Sequence, residues 1–368
     1  AFEKQLNRRK VKDKVNIQRK LADCYFQLRK LDRSQELYAQ VLEQAPDAFS
    51  FYRLIKLYRY NADYLSASQL LSQYGKALLD ASEMRRVENE WIAFPMQNQQ
   101  MSWSFEWDKL LLPNTRKGMG YTILLDTTMI AGVGSTTREN RTRFYDLVVL
   151  TPPVFQEANK LGLQENIRFF RAYPSYDEVN NRLYFTQNIS KRRKQNKNIE
   201  ENIQHLFYVD GSISNFSKAI QLPFCDGEHN FSHPYFTRDG NRLFFISDKP
   251  GGFGGLDIYF SDRTEEGWTE PVNAGAAVNT PFDELTPHFK NDTLFFSSYG
   301  HENYGGSDIF YATFSNGRFE SAQNIGLPIN SARDDFAYLP DERMDMYLLT
   351  TNRVSETGNI DEVYRLLN

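Results

Sequence analysis

A glycine-rich stretch in the second half of the chain occurs twice. Residues 251–260 read GGFGGLDIYF, and residues 304–310 repeat the pattern as YGGSDIF, so that Asp257 and Asp308 lie 51 positions apart. The apolar runs that precede the two copies also match, RLFFIS at 242–247 and TLFFSS at 293–298. A period near 50 residues with several short apolar runs in each unit is typical of the blades of a β-propeller.

Each unit has the features of a buried strand followed by a tight turn. The apolar run 243–246 is too short for a helix and predicts a strand that is covered on both faces. Asp257 and Asp308 are expected to accept hydrogen bonds from the backbone of the turn. Calcium ligation is the alternative for these aspartates, but one recurring carboxylate supplies few of the oxygens that a closed calcium site needs. Glycine reaches positive φ without steric cost, which is expected at Gly255 and Gly306 in particular. The structural turn residues are therefore predicted to be Gly254, Gly255, Asp257, Gly305, Gly306 and Asp308.

The first 90 residues predict helices, because they contain one proline and one glycine and their apolar residues recur at helical spacing. Large and small residues follow the spacing of two tetratricopeptide repeat (TPR) units. Cys24 is expected to be a buried small residue of the first helix. A helix over 80–90 is expected to cap the units, and Pro95 to close the helical part. The TPR positions are Leu21, Ala22, Tyr25, Ser34, Tyr38, Val41 and Pro46, then Leu54, Tyr58, Ala67, Leu71 and Tyr74.

The remaining residues predict repeated short strands. The last unit shows three strands, so we expect a strand near 101–107 to complete it and leave no open edge. Residues 127–143 are expected to form a polar loop. The sequence predicts an α + β multidomain chain, with a TPR-like helical domain at 1–94 and a WD-repeat-like β-propeller at 95–368. Five blades are favoured, and six would result if residues 91–118 formed a short blade.

Charge and cysteine content exclude some classes of protein. The net charge is −4, but residues 1–30 carry +7 and the rest −11, which argues against a dedicated nucleic-acid binder. The two cysteines, Cys24 and Cys225, fall in different predicted domains, so no disulfide is expected. No apolar run approaches the length of a membrane span.

Two acidic pairs are the strongest candidates for catalysis. Asp283-Glu284 and Asp334-Asp335 stand 51 positions apart at equivalent places in two units. Glycoside hydrolysis needs two carboxylates in different environments, whereas repetition in register predicts the same structural task for both pairs. His229 and His233 would lie about 13 Å apart along a strand, too far for one metal ion. We therefore predict no catalytic residue, cofactor or metal site, with a propeller glycoside hydrolase or a glycan-binding module as the alternative function.

Basic residues cluster at two places, in a loop between two strands and near the N-terminus. Each cluster is either a solvated surface or a docking patch for an acidic partner. The candidate docking residues are Lys191, Arg192, Arg193, Lys194 and Lys197, together with Arg8, Arg9 and Lys10.

The repeated unit resembles the TolB-type, WD-repeat-like propeller units of Bacteroidota envelope proteins, over about 229–331 and more weakly over 166–228 and the C-terminus. With TPR units in front, the order is similar to that of periplasmic TPR–propeller proteins, one branch of which belongs to type IX secretion and gliding. The resemblance implies a non-enzymatic scaffold of the periplasm, associated with the outer membrane through protein partners of the outer membrane or the secretion machinery.

Members of that family often end in an OmpA-like domain that binds peptidoglycan. This sequence stops after the propeller and has no N-terminal lipid-bearing cysteine. Peptidoglycan binding is accordingly expected only through a segment outside this sequence, and no nucleic-acid partner is expected.

Overall fold

A computed structural model gives the fold. It describes residues 3, 13–28, 30–99, 106–109, 115–123, 129–136, 142–150, 158–161, 163, 170–192, 200–341, 346–353 and 362–367.

Helices form the first part of the described chain. Asp47, Asp63 and Asp80 accept hydrogen bonds from backbone N–H groups in the first turns of the helices that follow them, which satisfies donors that the helix itself leaves unpaired. None of the described helices is long and apolar enough to cross a membrane. The helices are α1 (Lys14–Gln27), α2 (Leu31–Gln44), α3 (Ala48–Tyr60), α4 (Tyr64–Leu78), α5 (Ala81–Arg86), a π-helix (Val87–Ala93) and α6 (Phe94–Gln97).

The helical core contains the small residues that the sequence pattern singled out. Ala22, Ser34 and Ala67 are fully buried, and Ser34 Oγ donates to the Ala22 carbonyl at 2.9 Å, which joins α1 to α2. Cys24 is exposed, contrary to the prediction. Its helix buries Gln18, Leu21 and Ala22, and at 3.6 residues per turn position 24 lies off that face.

The helical part ends slightly later than expected. Pro95 lies inside α6 instead of closing the helices, because proline is tolerated in the first turn of a helix, where its missing N–H is not needed. Residues 80–90 divide between α5 and the π-helix.

Five antiparallel sheets follow in the part of the chain that the structure describes. Sheet A is β2 (Thr115–Ile123), β3 (Met129–Thr136), β4 (Thr142–Leu150) and β5 (Ala158–Lys160); sheet B is β6 (Arg171–Asp177), β7 (Arg182–Arg192), β8 (Glu200–Ser212), β9 (Asn215–Phe216) and β10 (Ile220–Gln221). Sheet C is β11 (Phe231–Phe236), β12 (Arg242–Ser247), β13 (Asp257–Thr264), β14 (Gly267–Trp268) and β15 (Val272–Asn273). Sheet D is β16 (Glu284–Lys290), β17 (Thr293–Ser298), β18 (Asp308–Ser315), β19 (Arg318–Phe319) and β20 (Gln323–Asn324). Sheet E is β21 (Asp335–Asp341), β22 (Met346–Thr351), β23 (Glu362–Leu367) and β1 (Glu106–Lys109).

The first strands of the five sheets contact one another in sequence. β2 contacts β6, and the contacts continue through β11 and β16 to β21, which returns to β2. Strand β1 pairs antiparallel with β23, so a strand that precedes sheet A completes sheet E. This pairing confirms the expected closure through the described strand at 106–109; residues 101–105 of the predicted strand lie outside the described residues. The arrangement is that of a β-propeller.

Neighbouring sheets pack through the two faces of their middle strands. In β12, Leu243 and Phe245 lie in the core with Tyr184 of sheet B, whereas Phe244 and Ile246 lie in the core with Phe296 of sheet D. All four side chains of the run 243–246 are fully buried, which confirms the prediction of a strand covered on both faces. The prediction of a polar loop over 127–143 was wrong, since β3 lies there and pairs with β2 and β4.

Each of four first strands contains a β-bulge that the sequence analysis did not anticipate. The register shifts between residues 172 and 175, 232 and 235, 285 and 288, and 336 and 339. One residue of each bulge has a positive φ near 50°, and these residues are Tyr173, His233, Thr286 and Ala337. The bulges connect neighbouring sheets, since the Ala337 N–H donates to Thr286 Oγ1 at 3.1 Å.

Two asparagines complete the third strands of sheets C and D. Asn330 accepts from the Ile309 N–H at 2.7 Å and donates to the Ile309 carbonyl at 2.8 Å. Asn279 makes the same pair of bonds with Ile258, at 2.8 and 3.0 Å. These side chains supply the two hydrogen bonds that another strand would otherwise provide.

The expectation of positive φ at Gly255 and Gly306 was wrong, because neither residue is among those with positive φ. Close packing is the reason for glycine at both positions. A Cβ atom on Gly306 would lie 2.4 Å from the Arg333 carbonyl oxygen, and one on Gly255 would lie 2.2 Å from Asp283 Oδ1.

Replacing Gly306 with alanine should therefore destabilise the protein by about 2 kcal/mol or more, because the obstructing atoms belong to backbone that cannot move aside. Gly317→Ala is the control: Gly317 has φ +76° with nothing within 4 Å of an added Cβ, so only backbone strain of about 1 kcal/mol applies. Urea unfolding followed by circular dichroism measures both. Equal midpoints for the two variants would contradict the packing explanation.

Candidate functional site

The two acidic pairs lie where β16 and β21 begin. Glu284 and Asp335 are the first residues of these strands and are fully buried. Asp283 and Asp334 immediately precede them. The pairs therefore occupy equivalent positions in sheets D and E, as their spacing predicted.

Glu284 is surrounded by hydrogen-bond donors. Its carboxylate accepts from the Thr280 N–H at 2.9 Å, from Thr280 Oγ1 at 2.6 Å and from Ser298 Oγ at 2.7 Å. Burial raises the pKa of Glu284 to about 7, and these hydrogen bonds oppose the rise. The side chain ties the 280–284 turn to β17.

Asp335 has a different partner, an arginine of the same sheet. Arg353 Nη2 lies 2.6 Å from Asp335 Oδ1, and Ser331 Oγ donates to Oδ2 at 2.7 Å. Burial raises the pKa of Asp335, while the Arg353 guanidinium opposes the rise. The carboxylate thus joins the 331–335 turn to the end of β22.

The two remaining carboxylates of the pairs also hold loops together. Asp283 Oδ1 accepts from the Leu256 N–H at 2.9 Å. Asp334 accepts from Asn352 Nδ2 at 2.9 Å and from the Tyr60 hydroxyl at 3.0 Å. All four carboxylates accept hydrogen bonds from the fold, and Glu284 and Asp335 have no exposure through which a substrate could reach them.

Asp257 and Asp308 accept hydrogen bonds within their turns. Asp257 accepts from the Gly254 N–H at 3.0 Å and from Asn273 Nδ2 at 2.9 Å. Asp308 accepts from the Tyr304 N–H at 3.0 Å and from Asn324 Nδ2 at 2.7 Å. Nowhere in the part of the chain that the structure describes do three or more His, Cys, Asp or Glu residues form a group that could hold a metal ion.

The helical part is attached to sheets D and E by buried polar contacts from α3 and α4. Arg59 Nη2 donates to Asn303 Oδ1 at 2.7 Å, and the Tyr64 hydroxyl donates to the Tyr304 carbonyl at 2.7 Å. An added Cβ on Gly305 would lie 2.8 Å from the Arg59 carbonyl oxygen, so glycine permits the close approach. Burial lowers the pKa of Arg59 to about 10, still far above neutral pH, so the guanidinium remains charged.

A cavity of about 540 Å³ lies beside this junction, between the helices and the loops of sheets C to E. Phe26, Leu31 and Lys56 line it from the helices, and Phe282 and Tyr299 line it from the sheets. Lys56 Nζ lies 5.8 Å from the centre of the Tyr299 ring. The helices therefore leave a cleft on the side of the sheets that they cover.

A larger cavity, which we call the open cavity, has a volume of about 880 Å³ and lies at the other end of the first strands. Phe236, Lys290 and Pro340, near the ends of β11, β16 and β21, line it. The residue of β16 in the lining that is closest in sequence to Glu284 is His288, four positions or roughly 13 Å along the strand. The acidic pairs do not contribute to it.

The predicted docking residues lie largely outside the described structure. Lys191 and Arg192 end strand β7, but their side chains are not described. The other predicted docking residues lie outside the described residues; these are Arg193, Lys194, Lys197, Arg8, Arg9 and Lys10. Docking at the two basic clusters therefore remains a prediction.

The two histidines of the 228–233 segment contact different residues. His229 Nδ1 lies 2.7 Å from Asp226 Oδ2. His233 lies in the bulge of β11 with its ring against Tyr173, and burial lowers its pKa to about 3. The two imidazole rings therefore have different partners.

Sequence reasoning missed the residues that join the two parts of the chain. Arg59, Tyr60 and Tyr64 read as ordinary helix residues, and nothing in a helical pattern says which sheet they contact. The bulges did have a signal. Pro174, Pro234 and Pro287 each follow the positive-φ residue of a first strand, and proline inside a sheet is confined to edges and bulges.

No family model matches the sequence, and no curated protein matches it. Several solved structures are similar to it. A TolB-type protein from Agrobacterium tumefaciens is 12% identical, with 56% of this chain and 63% of that chain covered and a TM-score of 0.36. This chain thus spans less than two thirds of that protein's length.

Two further solved structures show the range of similar proteins. TolB from Acinetobacter baumannii is 10% identical, with 79% of this chain and 71% of that chain covered and a TM-score of 0.38. A thermostable family-43 glycoside hydrolase is 14% identical, with 70% of this chain and 91% of that chain covered and a TM-score of 0.44.

Glu284 should give the protein's stability a specific pH dependence. Its pKa is raised from 4.5 to about 7, so folding favours the protonated form. The stability that the raised pKa of Glu284 contributes is fully present below about pH 4.5 and is lost as pH rises through 7. The difference in the free energy of unfolding is roughly 3 kcal/mol. The free energy of unfolding of wild type minus that of Glu284→Gln should therefore fall between pH 5 and pH 8. A difference that stays constant across this range would show that the carboxylate is not perturbed.

Proposed function

We propose that this protein is a non-enzymatic scaffold or adaptor of the bacterial cell envelope, built as a five-bladed propeller with two TPR-like units fixed to one end. The five sheets are its blades, and sheet E is the blade that β1 closes. The TPR-like domain comprises residues 1–94 and the propeller residues 95–368. The observation that supports a scaffold best is the buried attachment of the helices to the sheets.

That attachment gives the helices a defined position on the sheets. Arg59, Tyr60 and Tyr64 are all at most 7% exposed, and each forms a hydrogen bond to a residue of the sheets. Separating the two parts would leave these buried groups unpaired or expose them, at a cost of about 1–3 kcal/mol for each group. A fixed arrangement lets one partner contact helices and sheets together across the cleft at their junction.

The use of the acidic pairs supports the non-enzymatic part of the proposal. A general acid and a nucleophile must reach the substrate, and the two must have different environments. Glu284 and Asp335 are instead buried at equivalent turns, where each is held by its own serine and by further donors. The alternative, a propeller glycoside hydrolase, would need carboxylates other than these.

The cellular setting of the proposal comes from the family resemblance of the repeated unit. We place the protein in the periplasm, associated with the outer membrane through protein partners of the outer membrane or of the secretion and gliding machinery. In this role it would connect such components to the cell wall. The basic clusters at residues 8–10 and 191–197 are the docking patches we propose for acidic partners.

The double variant Tyr60→Phe/Tyr64→Phe tests the scaffold. It keeps both rings but removes three hydrogen bonds between helices and sheets: Tyr60 hydroxyl to Asp334, Asn352 to the Tyr60 hydroxyl, and Tyr64 hydroxyl to the Tyr304 carbonyl. We expect limited proteolysis between residues 98 and 115 to accelerate about tenfold or more, because a loss near 2 kcal/mol favours the separated state. Capture of an outer-membrane or secretion-machinery protein from envelope extracts should weaken in parallel. Tyr58→Phe, in the same helix but packed within the helical core, is the matched control.

The enzyme alternative is tested on the same preparations. Wild type, Glu284→Gln and Asp335→Asn are incubated with peptidoglycan fragments and a panel of oligosaccharides. Turnover by the wild type that disappears in one folded variant would overturn the scaffold and establish a glycosidase. Capture that is unaffected in the double variant would contradict the role of the junction.

A further inference from the structure

The open cavity has the size and shape of a ligand site. At about 880 Å³ it lies within the range of roughly 300–1,000 Å³ in which proteins hold small ligands. It lies at the end of the sheets opposite the helices, so the proposed scaffold surface at the junction does not use it. Sheets B to E all contribute to its lining, through Ser175, Arg242, Lys290 and Leu339 among others.

The charges around the open cavity balance. Four basic residues, Arg238, Arg242, Arg263 and Lys290, line it with four acidic residues, Glu178, Asp239, Asp262 and Asp292. Two of the arginines are held by carboxylates: Arg242 bonds Asp262 through two nitrogens at 2.5 and 3.0 Å. Arg263 Nη2 lies 2.9 Å from Asp177 Oδ2. A charged ligand would lose its hydration here without meeting an excess of opposite charge.

Aromatic rings and planar polar groups alternate in the lining. Tyr176, Tyr235, Phe289 and Phe314 are half-buried there. Asn241 and Asn291 are exposed on neighbouring hairpins of sheets C and D. The rings offer apolar faces. The amides both donate and accept hydrogen bonds, whereas the guanidinium groups donate them in pairs and the carboxylates accept them in pairs.

The walls of the cavity are fixed in position. The Phe236 N–H donates to Ser175 Oγ at 2.7 Å, which connects sheet C to sheet B beside the cavity. The Arg242 guanidinium lies between two rings, 4.2 Å from the centre of Phe260 and 5.1 Å from that of Phe314. A site arranged before binding loses little conformational freedom when its ligand arrives.

We propose that the open cavity binds a neutral oligosaccharide of about two to four sugar rings. Such a ligand has apolar C–H faces for Tyr235 and Phe289, and hydroxyl groups that both donate and accept for the asparagines and the paired ions. It carries no charge, which matches the balanced lining. This site goes beyond the proposed scaffold function and does not depend on it.

The full chain is titrated with the neutral trisaccharides of N-acetylglucosamine, glucose, xylose and galactose, and with trigalacturonate as a charged counterpart of the last. Binding is followed by calorimetry and by ligand-observed NMR. We expect at least one neutral trisaccharide to bind, and trigalacturonate to bind no more tightly than the galactose trisaccharide.

Two variants locate the site. Asn291→Gly removes an exposed amide from a residue with φ +48°, and Tyr235→Leu removes a ring face while keeping bulk. Each should weaken binding about fivefold or more. Asn316→Gly is the matched control, since Asn316 is also exposed with φ +51° but does not line the cavity. It should bind as the wild type does.

The outcomes separate this proposal from the scaffold. If no neutral trisaccharide binds at concentrations up to about 10 mM, the oligosaccharide site is overturned and the scaffold is left intact. Binding that is unchanged in both Asn291→Gly and Tyr235→Leu, or at least tenfold tighter for trigalacturonate, overturns it as well. Hydrolysis of a bound trisaccharide supports the site but overturns the non-enzymatic proposal.

Discussion

Satisfying buried polar groups where neighbouring turns meet is the constraint on which the rest of this structure depends. Asn279 and Asn330 each give a third strand the donor and acceptor that a paired strand would give. The carboxylates of Glu284 and Asp335 accept hydrogen bonds from the turns that precede β16 and β21. An unpaired buried group costs about 1–3 kcal/mol, so these side chains fix how one sheet follows another.

The same constraint explains how the two ends of the sheets differ. At the helical end, Tyr60 and Asn352 both bond Asp334, so a residue of a sheet turn also serves the attachment of α3. At the other end, charged groups are paired at the edge of an open cavity, where their outer faces stay accessible. One end therefore holds the chain together, whereas the other is available for a ligand.

Local sequence patterns predicted those structural features that depend on residues close in sequence or on the repeated unit. The apolar runs predicted middle strands covered on both faces, and the incomplete last unit predicted that an early strand would complete its sheet, as β1 does by pairing with β23. The bulges could have been predicted from the prolines in three first strands, but Ala337 lies in a bulge with no adjacent proline at position 338. Gly306 was assigned to the right turn but for the wrong reason. Its glycine is explained by the close approach of the Arg333 backbone from another loop, which cannot be read from the sequence.

The sequence by itself determined the repeat, the order of helices before strands and the equivalence of the two acidic pairs, because each of these follows from periodicity along the chain. Only the tertiary structure decided that Arg59, Tyr60 and Tyr64 join helices to sheets across more than 200 residues, and that sheets B to E enclose a cavity. Such contacts depend on how whole elements are oriented in space. A helical or alternating pattern specifies which face of an element is buried, but not which distant element covers it.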